Sequence, residues 1–444
     1  MSNPIEKNQE YVVEIIDYGA DGEGIAKLNG YTIFVIGAIK NETCKIHITK
    51  VLTSYAYAKL IEVIKPSEYR VEPDCDTYVR CGGCDLRHIS YKETLNIKRE
   101  KVQNLVNKML ENKVDVKETI GMDNPLYYRN KAIFPISKDK EIGIYAERSH
   151  DIIPVRKCKI QSEEAQEVAK YIVENWNDTI YDEKTGQGLL RNIMIRHGFK
   201  TNELMVVLVQ NGTSNNFDLK KLINKFDNIK TVVINVNTEN TNVVLSRKNI
   251  VLYGNGKIKD RLGEYVFEIS PNSFYQVNSI QTEKLYDLAI EKAHLKNSDV
   301  LCDLYCGIGT IGIFASKYVK EVYGIEIVSE AIEDAKKNAK NNNVNNIEFI
   351  NGDVKFAFDE LINKKHVKPD VVIVDPPRKG LDDKTIENLV HEEIERFVYV
   401  SCNPATLMRD LQVFEKSYEV VSLTPVDNFC YSSHIEVVAE LKIR

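Results

Sequence analysis

The stretch VLCDLYCGIGTIGIFAS, Val300 to Ser316, decides the fold of this chain. It begins as an apolar strand and passes through Gly307, Gly309 and Gly312 into a helix. A glycine-rich turn between a strand and a helix receives nucleotide-type ligands at the carboxyl edge of a parallel sheet. Strands and helices alternate from there onward, so we predict a doubly wound α/β domain at residues 261–444.

Carboxylates accompany the strands of this domain. Asp303 lies at the end of the first strand, and Glu326 ends the next, where a carboxylate can accept hydrogen bonds from both hydroxyls of a ribose. Asp353 follows in the turn NGDV, and Asp375 ends a fourth strand in PDVVIVDPP. The glycines also fit G-x-G-x-x-G, which leaves a dinucleotide-binding protein as an alternative. Asp303 and the DPP motif favour S-adenosylmethionine over a nicotinamide cofactor.

A cysteine ends another apolar run of the same domain, in FVYVSCNPATL. Phe397 to Ser401 are rich in β-branched and aromatic residues and predict a buried strand that delivers Cys402 to its carboxyl end. Pro404 prevents the strand from continuing. The local sequence leaves two roles open for Cys402, a small core residue or a reactive thiol.

Composition indicates a multidomain protein of the cytoplasm. The 444 residues, 43% of them hydrophobic, are enough for two or three cores. No apolar run approaches the roughly 18 residues that cross a membrane, and the N-terminus MSNPIEKNQE lacks the features of a signal peptide. The formal charge of −6 argues against a protein that coats nucleic acid non-specifically, although a local basic surface can still bind phosphates.

The first block, residues 1–66, predicts a small β-barrel. From Glu10 to about Lys65, strand-like runs alternate with glycine turns such as DGEG, and no helical period competes. A sheet of this size protects its edges best by closing on itself. Such barrels often bind single-stranded nucleic acid, and a purely structural role is the alternative.

Three cysteines open the second block, residues 67–260. Cys75, Cys81 and Cys84 form C-x5-C-x2-C, and Cys158 is the nearby candidate for a fourth ligand. Two cysteines separated by two residues can present both sulfurs to one metal or cluster, and the glycines between them let backbone N–H groups approach the sulfurs. We therefore predict a metal or cluster site. The spacing does not separate zinc from an iron–sulfur cluster, although structural zinc more often uses two C-x2-C pairs.

Two further segments of this block carry basic residues. The segment YKETLNIKREKVQNLVNKML spaces its apolar residues as a helix does. We predict that its basic residues form a solvated face, with a phosphate-contacting surface as the alternative. These residues are Lys92, Lys98, Arg99, Lys101 and Lys108. The segment YYRNKAIFPI interleaves Arg129 and Lys131 with aromatic residues, which suits stacking on unpaired bases and would also serve as an edge strand.

Seven motifs, taken in their order along the chain, resemble those of the RNA uracil-5-methyltransferase family, in particular its members that modify 23S ribosomal RNA. They are CGGC, NSFYQVN, DLYCGIGTIG, GIE, VDPPRKGL, SCNPATL and SHIEVVAEL. The resemblance covers nearly the whole chain. It implies a class I (Rossmann-like) methyltransferase domain, an N-terminal TRAM barrel, and a central α+β domain whose four cysteines carry a [4Fe-4S] cluster. It also places the helical segment at about 91–115 against the catalytic domain, which makes the central domain discontinuous in sequence.

The chemistry of uracil C5 gives two of these motifs a role. C5 is too weak a nucleophile to take a methyl group from a sulfonium at neutral pH, and a thiolate added at C6 moves electron density to C5. A base must then remove the C5 proton so that the cysteine can leave. The resemblance implies that Cys402 is the nucleophile and Glu436 the general base, because the last strand runs antiparallel and starts where the parallel strands end. His434 is expected beside them, as a catalytic group or as a core histidine.

The resemblance also implies a cofactor site and a substrate. The residues implied to bind S-adenosyl-L-methionine are Gln276, Tyr305, Thr310, Glu326, Asp353 and Asp375. Arg378 stands where enzymes that methylate exocyclic amines have an aromatic residue, which disfavours that reaction. We expect a monomer that methylates a uridine of 23S ribosomal RNA and binds neither DNA nor a membrane. Transfer RNA uracil-5 methylation is the alternative, followed by cytosine-5 methylation and a non-catalytic assembly factor with an iron–sulfur cluster.

Overall fold

The structure is a computed structural model that describes residues 5–78, 80–146 and 149–444. Residues 1–4 of the predicted first domain, and residues 79, 147 and 148 of the second, lie outside the described residues. The predicted domain boundaries near residues 66 and 260 stay predictions, as does the monomeric state. Among the described residues, no helix combines the length and the hydropathy needed to span a membrane.

The N-terminal strands close into a barrel in the order β1, β2, β3, β5, β4. Their bounds are β1 Glu10–Tyr18, β2 Gly24–Leu28, β3 Tyr31–Ile36, β4 Thr43–Val51 and β5 Tyr55–Lys65. Alternate side chains such as Ile33, Val35 and Ile46 are fully buried inside, as the two-residue period of a strand requires. Asn29 and Gly30 both have positive φ, 51° and 81°, which is the conformation of a tight type I′ turn between β2 and β3. The predicted barrel is confirmed.

The central part of the chain forms a five-stranded sheet in the order β12, β11, β10, β9, β6. Its elements, with the small hairpin of β7 and β8, are β6 Lys131–Pro135, β7 Gly143–Tyr145, β8 Ile152–Pro154, α2 Glu163–Glu174, β9 Leu190–Gly198, β10 Glu203–Gln210, α3 Leu219–Lys225, β11 Ile229–Val236 and β12 Asn249–Tyr253. Every residue of β9 is buried, because both faces of the sheet are covered. Ile193 packs with α2 on one face, and Met194 packs with the C-terminal core on the other.

The C-terminal block contains a seven-stranded sheet in the order β17, β16, β15, β18, β19, β21, β20. Neighbours from β17 to β19 pair in parallel, whereas β21 runs antiparallel between β19 and β20. The elements are β13 Ile258–Leu262, β14 Tyr265–Ile269, α4 Ser279–Ala293, β15 Val300–Leu304, α5 Thr310–Ala315, β16 Glu321–Glu326, α6 Ser329–Asn341, β17 Ile347–Asn351, α7 Val354–Asn363, β18 Val371–Val374, α8 Asp383–His391, β19 Arg396–Ser401, α9 Pro404–Phe414, β20 Tyr418–Val426 and β21 Glu436–Ile443, and a 3-10 turn Ser316–Tyr318 follows α5. The predicted α/β fold class is confirmed.

The central strands of this sheet are buried because helices cover both of its faces. All residues of β18 and β19 are buried. Leu285 of α4 and Ile332 of α6 belong to the core on one face, and Phe358 of α7 and Leu407 of α9 belong to the core on the other. The sheet is therefore rigidly held, and its carboxyl edge is a firm base for functional groups.

The helix α1, Tyr91–Met109, joins this C-terminal block although it precedes the central sheet in sequence. Val102 and Val106 are fully buried in the core that contains α7, α8 and α9. Lys98 is only 1% exposed and donates a hydrogen bond to Asp427 Oδ1 at 2.5 Å. The favoured interpretation of a solvated basic face is wrong for Lys98, because this ammonium group is held by a carboxylate inside the protein.

Candidate active site

Cys402 lies between a buried strand and a helix. β19 ends at Ser401, and Asn403 caps α9, since its side-chain oxygen accepts a hydrogen bond from the Ala405 N–H at 3.1 Å. Pro404 occupies the first helical position, where its fixed φ suits the helix and its missing N–H is not needed. This turn leaves Cys402 half-buried at the carboxyl edge of the sheet, outside the core.

The last strand brings Glu436 to the same edge. β21 begins at Glu436 and pairs antiparallel with β19, with Val437 opposite Ser401. Cys402 and Glu436 are the residues next to this last pair, and they lie close enough for the Glu436 charge to raise the pKa of Cys402. The Glu436 side chain is 2% exposed, and its Oε2 has no hydrogen-bond partner among the described residues. An unpartnered buried carboxyl oxygen marks a place where a substrate group or water completes the site.

Burial and mutual repulsion raise the pKa values of the acidic groups at this edge. Burial raises the pKa of Cys402 to about 11, and the charges of Glu436 and Asp375 add to the shift. Burial also raises the pKa of Glu436 well above its ordinary value, and Asp375 raises it further. The pKa of Asp375 itself is raised to about 7 by burial. Arg378 lowers the pKa of both Cys402 and Glu436, so it provides a positive charge next to them.

A further carboxyl group, that of Asp303, lies inside the sheet. Burial raises its pKa to about 8, although its Oδ2 accepts a hydrogen bond from the Gly312 N–H at 2.8 Å. The Tyr286 hydroxyl of α4 lies 3.0 Å from Thr310 Oγ1, and burial together with the Asp375 charge raises the pKa of Tyr286. Several buried carboxyl groups at one edge favour a positively charged ligand, because a cation stabilises their ionised forms.

The glycine loop is shaped by residues with positive φ. Tyr305, Gly307 and Gly309 have φ values of 66°, 55° and 80°. A Cβ on Gly309 would lie 2.7 Å from the Phe349 ring, so only glycine fits this close approach. The Gly307 N–H donates to Glu326 Oε2 at 3.2 Å, which ties the loop after β15 to the end of β16. The loop and Glu326 therefore lie together at the carboxyl edge of the sheet, and their role in ligand binding stays a prediction.

The remaining cofactor residues expected from the sequence lie at separate points of the same edge. Thr310 begins α5, and Asp353 caps α7 with a side-chain oxygen that accepts from the Lys355 N–H at 3.3 Å. Gln276 lies near the end of β20, where its Oε1 accepts from Asn428 Nδ2 at 3.5 Å. The structure thus gathers Cys402, Glu436 and Asp375 closely and distributes the other residues on both sides of them.

A cavity of about 440 Å³ opens in front of Cys402. Residues 17–21, at the end of β1 and in the β1–β2 loop, line it from the barrel, and α1 lines it with side chains between residues 97 and 108. Arg378, Cys402 and His434 line it from the sheet edge. The volume falls within the range of small-ligand sites, and three separate parts of the chain form its walls.

The four cysteines Cys75, Cys81, Cys84 and Cys158 line a second cavity, of about 70 Å³. The Gly83 N–H donates to Cys81 Sγ at 3.3 Å, as the glycines between the cysteines predicted. In the part of the chain that the structure describes, no three His, Cys, Asp or Glu side chains converge as ligands of one metal ion. The predicted ligands therefore meet at one cavity without the compact arrangement of a single-ion site.

Sequence reasoning missed two groups that the structure brings to this region. Tyr286 lies at a position of α4 where the helical spacing predicts a core residue. Nothing in the sequence of α4 indicates that its hydroxyl has any other role. Asp427 follows the apolar strand β20 and forms a buried ion pair with Lys98. A signal for Asp427 was present, because a carboxylate directly after an apolar strand is the pattern that identified Asp375.

Comparisons with known proteins agree with this geometry. The chain matches the family model tRNA (Uracil-5-)-methyltransferase over residues 90–443 and the TRAM domain model over residues 4–61. An uncharacterized RNA methyltransferase of Clostridium tetani is 47% identical and covers 98% of this chain and 96% of its own length. One from Staphylococcus epidermidis is 43% identical, with 98% of each chain covered.

A solved structure aligns over nearly the whole chain. It is the Pyrococcus abyssi tRNA (uracil-54, C5)-methyltransferase in complex with S-adenosyl-L-homocysteine, with 28% sequence identity and a TM-score of 0.78. The alignment covers 97% of this chain and 99% of that chain. The family match, which spans most of the sequence, and the sheet edge described above lead to one conclusion: this chain belongs to the tRNA (uracil-5-)-methyltransferase family of S-adenosylmethionine-dependent RNA methyltransferases and carries an N-terminal TRAM domain.

Proposed function

We propose that this protein methylates C5 of a uridine in RNA, with Cys402 as the nucleophile and Glu436 as the general base. The observation that carries the proposal is the pairing of β19 with β21, which sets the thiol and the buried carboxyl group at adjacent positions of one sheet edge. Methylation of uracil C5 requires one thiolate and one base at the same ring. The two groups supply both requirements.

The reaction begins when the Cys402 thiolate adds to C6 of uracil. The new C6–S bond forms as the C5–C6 π bond breaks, and its electron pair moves to C5 and O4. Because burial raises the pKa of Cys402 to about 11, the free protein holds mainly the neutral thiol at pH 7. The positive charge of Arg378 favours the thiolate. S-adenosylmethionine, when bound, supplies an electrophilic methyl group for the activated C5.

Glu436 then removes the proton from C5. The C–H electron pair restores the C5–C6 double bond, the C6–S bond breaks, and Cys402 leaves as a thiolate. A carboxylate whose pKa is raised well above its ordinary value is a stronger base once it is ionised, because proton affinity increases with pKa. Its Oε2, which has no partner among the described residues, is available to accept this proton.

For the substrate, we propose 23S ribosomal RNA, on the resemblance of the motif set, and transfer RNA as a second candidate. The second candidate is favoured by the similar Pyrococcus abyssi structure, whose name specifies uracil 54 of tRNA. That alignment covers 97% of this chain and therefore takes in most of the N-terminal barrel. A barrel is thus compatible with either RNA and does not discriminate between the two substrates.

Mass mapping of 5-methyluridine separates these substrates. Ribosomal and transfer RNA from cells with and without the gene are digested, and the modified fragments are located by mass. We expect one or more 23S positions to lose the methyl group in the deletion strain and to regain it with the wild-type gene but not with Cys402→Ala. Loss from transfer RNA alone would assign the second candidate, and loss from neither RNA would contradict the proposed function.

RNA that contains 5-fluorouridine tests the covalent mechanism directly. Fluorine at C5 cannot leave as a proton, so the adduct between Cys402 and C6 should persist after methyl transfer. We expect a denaturation-resistant protein–RNA complex with the wild type and none with Cys402→Ala. Release of free RNA by the wild type, with no adduct at the methylated position, would contradict the mechanism.

We also propose that the four cysteines hold a [4Fe-4S] cluster. They line one cavity, and in such a cluster each iron takes one cysteine, so that the cluster itself holds the thiolates apart. Arg129, which also lines the cavity, adds a positive charge that stabilises thiolates.

A further inference from the structure

The outer face of the barrel carries three aromatic rings in mutual contact. The centroid of Phe34 on β3 lies 5.5 Å from that of Tyr55 and 5.6 Å from that of Tyr57, both on β5. The two tyrosine rings are 5.7 Å apart. The residues that alternate with them are buried inside the barrel, while all three rings are partly exposed. The sheet therefore presents an aromatic platform, Phe34, Tyr55 and Tyr57, on its outer surface.

Three exposed lysines border the aromatic platform. Lys50 on β4 pairs opposite Tyr57, and Lys59 lies two residues after Tyr57 on the same face of β5. Lys27 lies on β2, which pairs with the strand of Phe34. None of these ammonium groups forms an ion pair or hydrogen bond within the described residues. On a chain with a formal charge of −6, such a group of unpaired cations fits an anionic ligand.

The aromatic platform is continuous with the cavity in front of Cys402. Gly19 belongs to the β1–β2 loop that lines this cavity. A Cβ placed on Gly19 would lie 3.2 Å from the Phe34 ring, so the backbone of the loop is in close contact with the platform. A nucleotide chain that leaves the cavity on the barrel side would meet the rings next.

We infer that Phe34, Tyr55 and Tyr57 stack on unpaired bases of the substrate RNA that flank the target uridine. The three bordering lysines contact the phosphates of the same segment. Aromatic rings stack on any base, and exposed lysines neutralise phosphates without reading sequence. The inference rests on the proposed function, because it requires an RNA whose target uridine reaches Cys402.

The first test measures the binding of a fluorescently labelled oligouridylate to the full-length protein by anisotropy. Replacing Phe34, Tyr55 and Tyr57 together by alanine should raise Kd by about tenfold or more, because base stacking is lost. The variant Phe34→Tyr, Tyr55→Phe, Tyr57→Phe keeps three rings and should bind like the wild type. The matched control Val12→Ala with Ile16→Ala removes side chains that are 59% and 46% exposed on β1 and should leave Kd unchanged.

The second test addresses the phosphate contacts. Changing Lys27, Lys50 and Lys59 to glutamine should reduce the slope of log Kd against log salt by about 0.7 for each lost phosphate contact. Lys45→Gln is the matched control, because Lys45 is paired with Glu10 at 2.8 Å on the same barrel and should change the slope least. These exposed side chains have no packing role, so the test remains decisive if the alanine variant is unstable.

Two results would overturn the inference. One is an alanine variant that binds oligouridylate with the wild-type Kd. The aromatic platform would then be a contact surface for a protein partner and not for RNA. The other is an equal loss of affinity in the variant that keeps all three rings, because stacking would then not be the cause. Oligouridylate binding is measured without methyl transfer, so either result can be obtained whether or not the protein methylates RNA. Failure of the proposed function would appear differently, as a wild-type protein that methylates no RNA.

Discussion

As the proposed nucleophile, Cys402 would act on the RNA base and not on the methyl donor, so its replacement should affect methylation and leave cofactor binding intact. Cys402→Ala should abolish 5-methyluridine formation, because C5 cannot be activated without the covalent adduct, while S-adenosylmethionine binding by calorimetry should be retained. Cys44→Ala, at a fully buried cysteine of the barrel, is the control and should keep methylation. Substantial turnover by the purified Cys402→Ala protein would contradict the nucleophile assignment.

As the proposed general base, Glu436 would act after methyl transfer, so its replacement should trap an intermediate. Glu436→Gln should still permit thiolate addition and methyl transfer, since neither step takes a proton from C5. We expect a methylated RNA joined covalently to Cys402, detected with methyl-labelled cofactor on a denaturing gel. Slow release of ordinary 5-methyluridine without an adduct would mean that another residue, or water, removes the proton.

Asp303 predicts how stability depends on pH. Burial raises the pKa of its carboxyl group from 3.8 to about 8 in the folded protein. Between these values the folded state binds more protons than the unfolded state, so the contribution is fully present below about pH 4 and is lost as the pH rises to about 8. Asp303→Asn, which cannot titrate, should therefore show a smaller decrease in Tm between pH 5 and pH 8 than the wild type.

The control for this experiment is Asp139→Asn, at an exposed aspartate of a turn. It should keep the wild-type pH dependence. An identical decrease in Tm for Asp303→Asn and the wild type would contradict the raised pKa of Asp303.

At the scale of elements, α1 is tied to the segment between β20 and β21 by a buried ion pair. Lys98 Nζ donates to Asp427 Oδ1 at 2.5 Å and to the Phe429 carbonyl at 3.0 Å. The Tyr91 hydroxyl donates to the other carboxylate oxygen of Asp427 at 2.8 Å. Because this segment leads directly into Glu436, we infer that α1 helps to set the position of this proposed general base.

The ion pair predicts a large loss of stability when one partner is removed. Lys98→Met should lower the free energy of unfolding by about 3–5 kcal/mol, because the Asp427 carboxylate is then buried without its cation. The measurement is urea unfolding, with Lys92→Met on the exposed side of the same helix as the control, where the change should stay within about 0.5 kcal/mol. Equal effects of the two substitutions would contradict the structural role of the pair.

At the scale of the whole molecule, the active-site cavity is shared by the barrel, α1 and the C-terminal sheet. The Lys101 ammonium group joins all three, since it donates to the Ala20 carbonyl in the barrel at 2.6 Å and to the Ser433 carbonyl at 3.0 Å. The loop of the first three cysteines also contacts this region, because the Ser433 N–H donates to Asp85 Oδ2 at 2.8 Å. On the proposed function, an RNA bound at Cys402 would contact a surface that no single domain forms.

The cysteine cavity predicts the metal content of the protein. Protein purified without oxygen should be brown and contain about four iron and four sulfide ions per chain. Cys84→Ser should lose most of the iron and unfold at a lower temperature, because the cluster no longer joins the cysteine loop to Cys158. Cys44→Ser should keep the wild-type iron content. Stoichiometric zinc without labile sulfide would contradict the cluster.

The sequence by itself determined the class of the fold and the kind of chemistry, because both depend on local patterns. Apolar runs with period two predicted the barrel, and the glycine loop after Val300–Leu304 predicted the parallel α/β sheet. The ordered set of motifs from CGGC to SHIEVVAEL carried the family resemblance. Each of these signals is contained in a short stretch of sequence, so no knowledge of distant contacts was needed to read it.

Only the tertiary structure decided which groups meet and how they are charged. The family resemblance led us to expect Glu436 near Cys402, but the physical cause, the insertion of β21 between β19 and β20, is encoded by neither segment alone. Lys98 appeared solvated in sequence, and it is buried because its partner Asp427, 329 residues away, lies under α1. Burial depth and charge separation set the pKa of Glu436, and both are properties of the packed molecule, so no pattern of residue types along the chain could supply them.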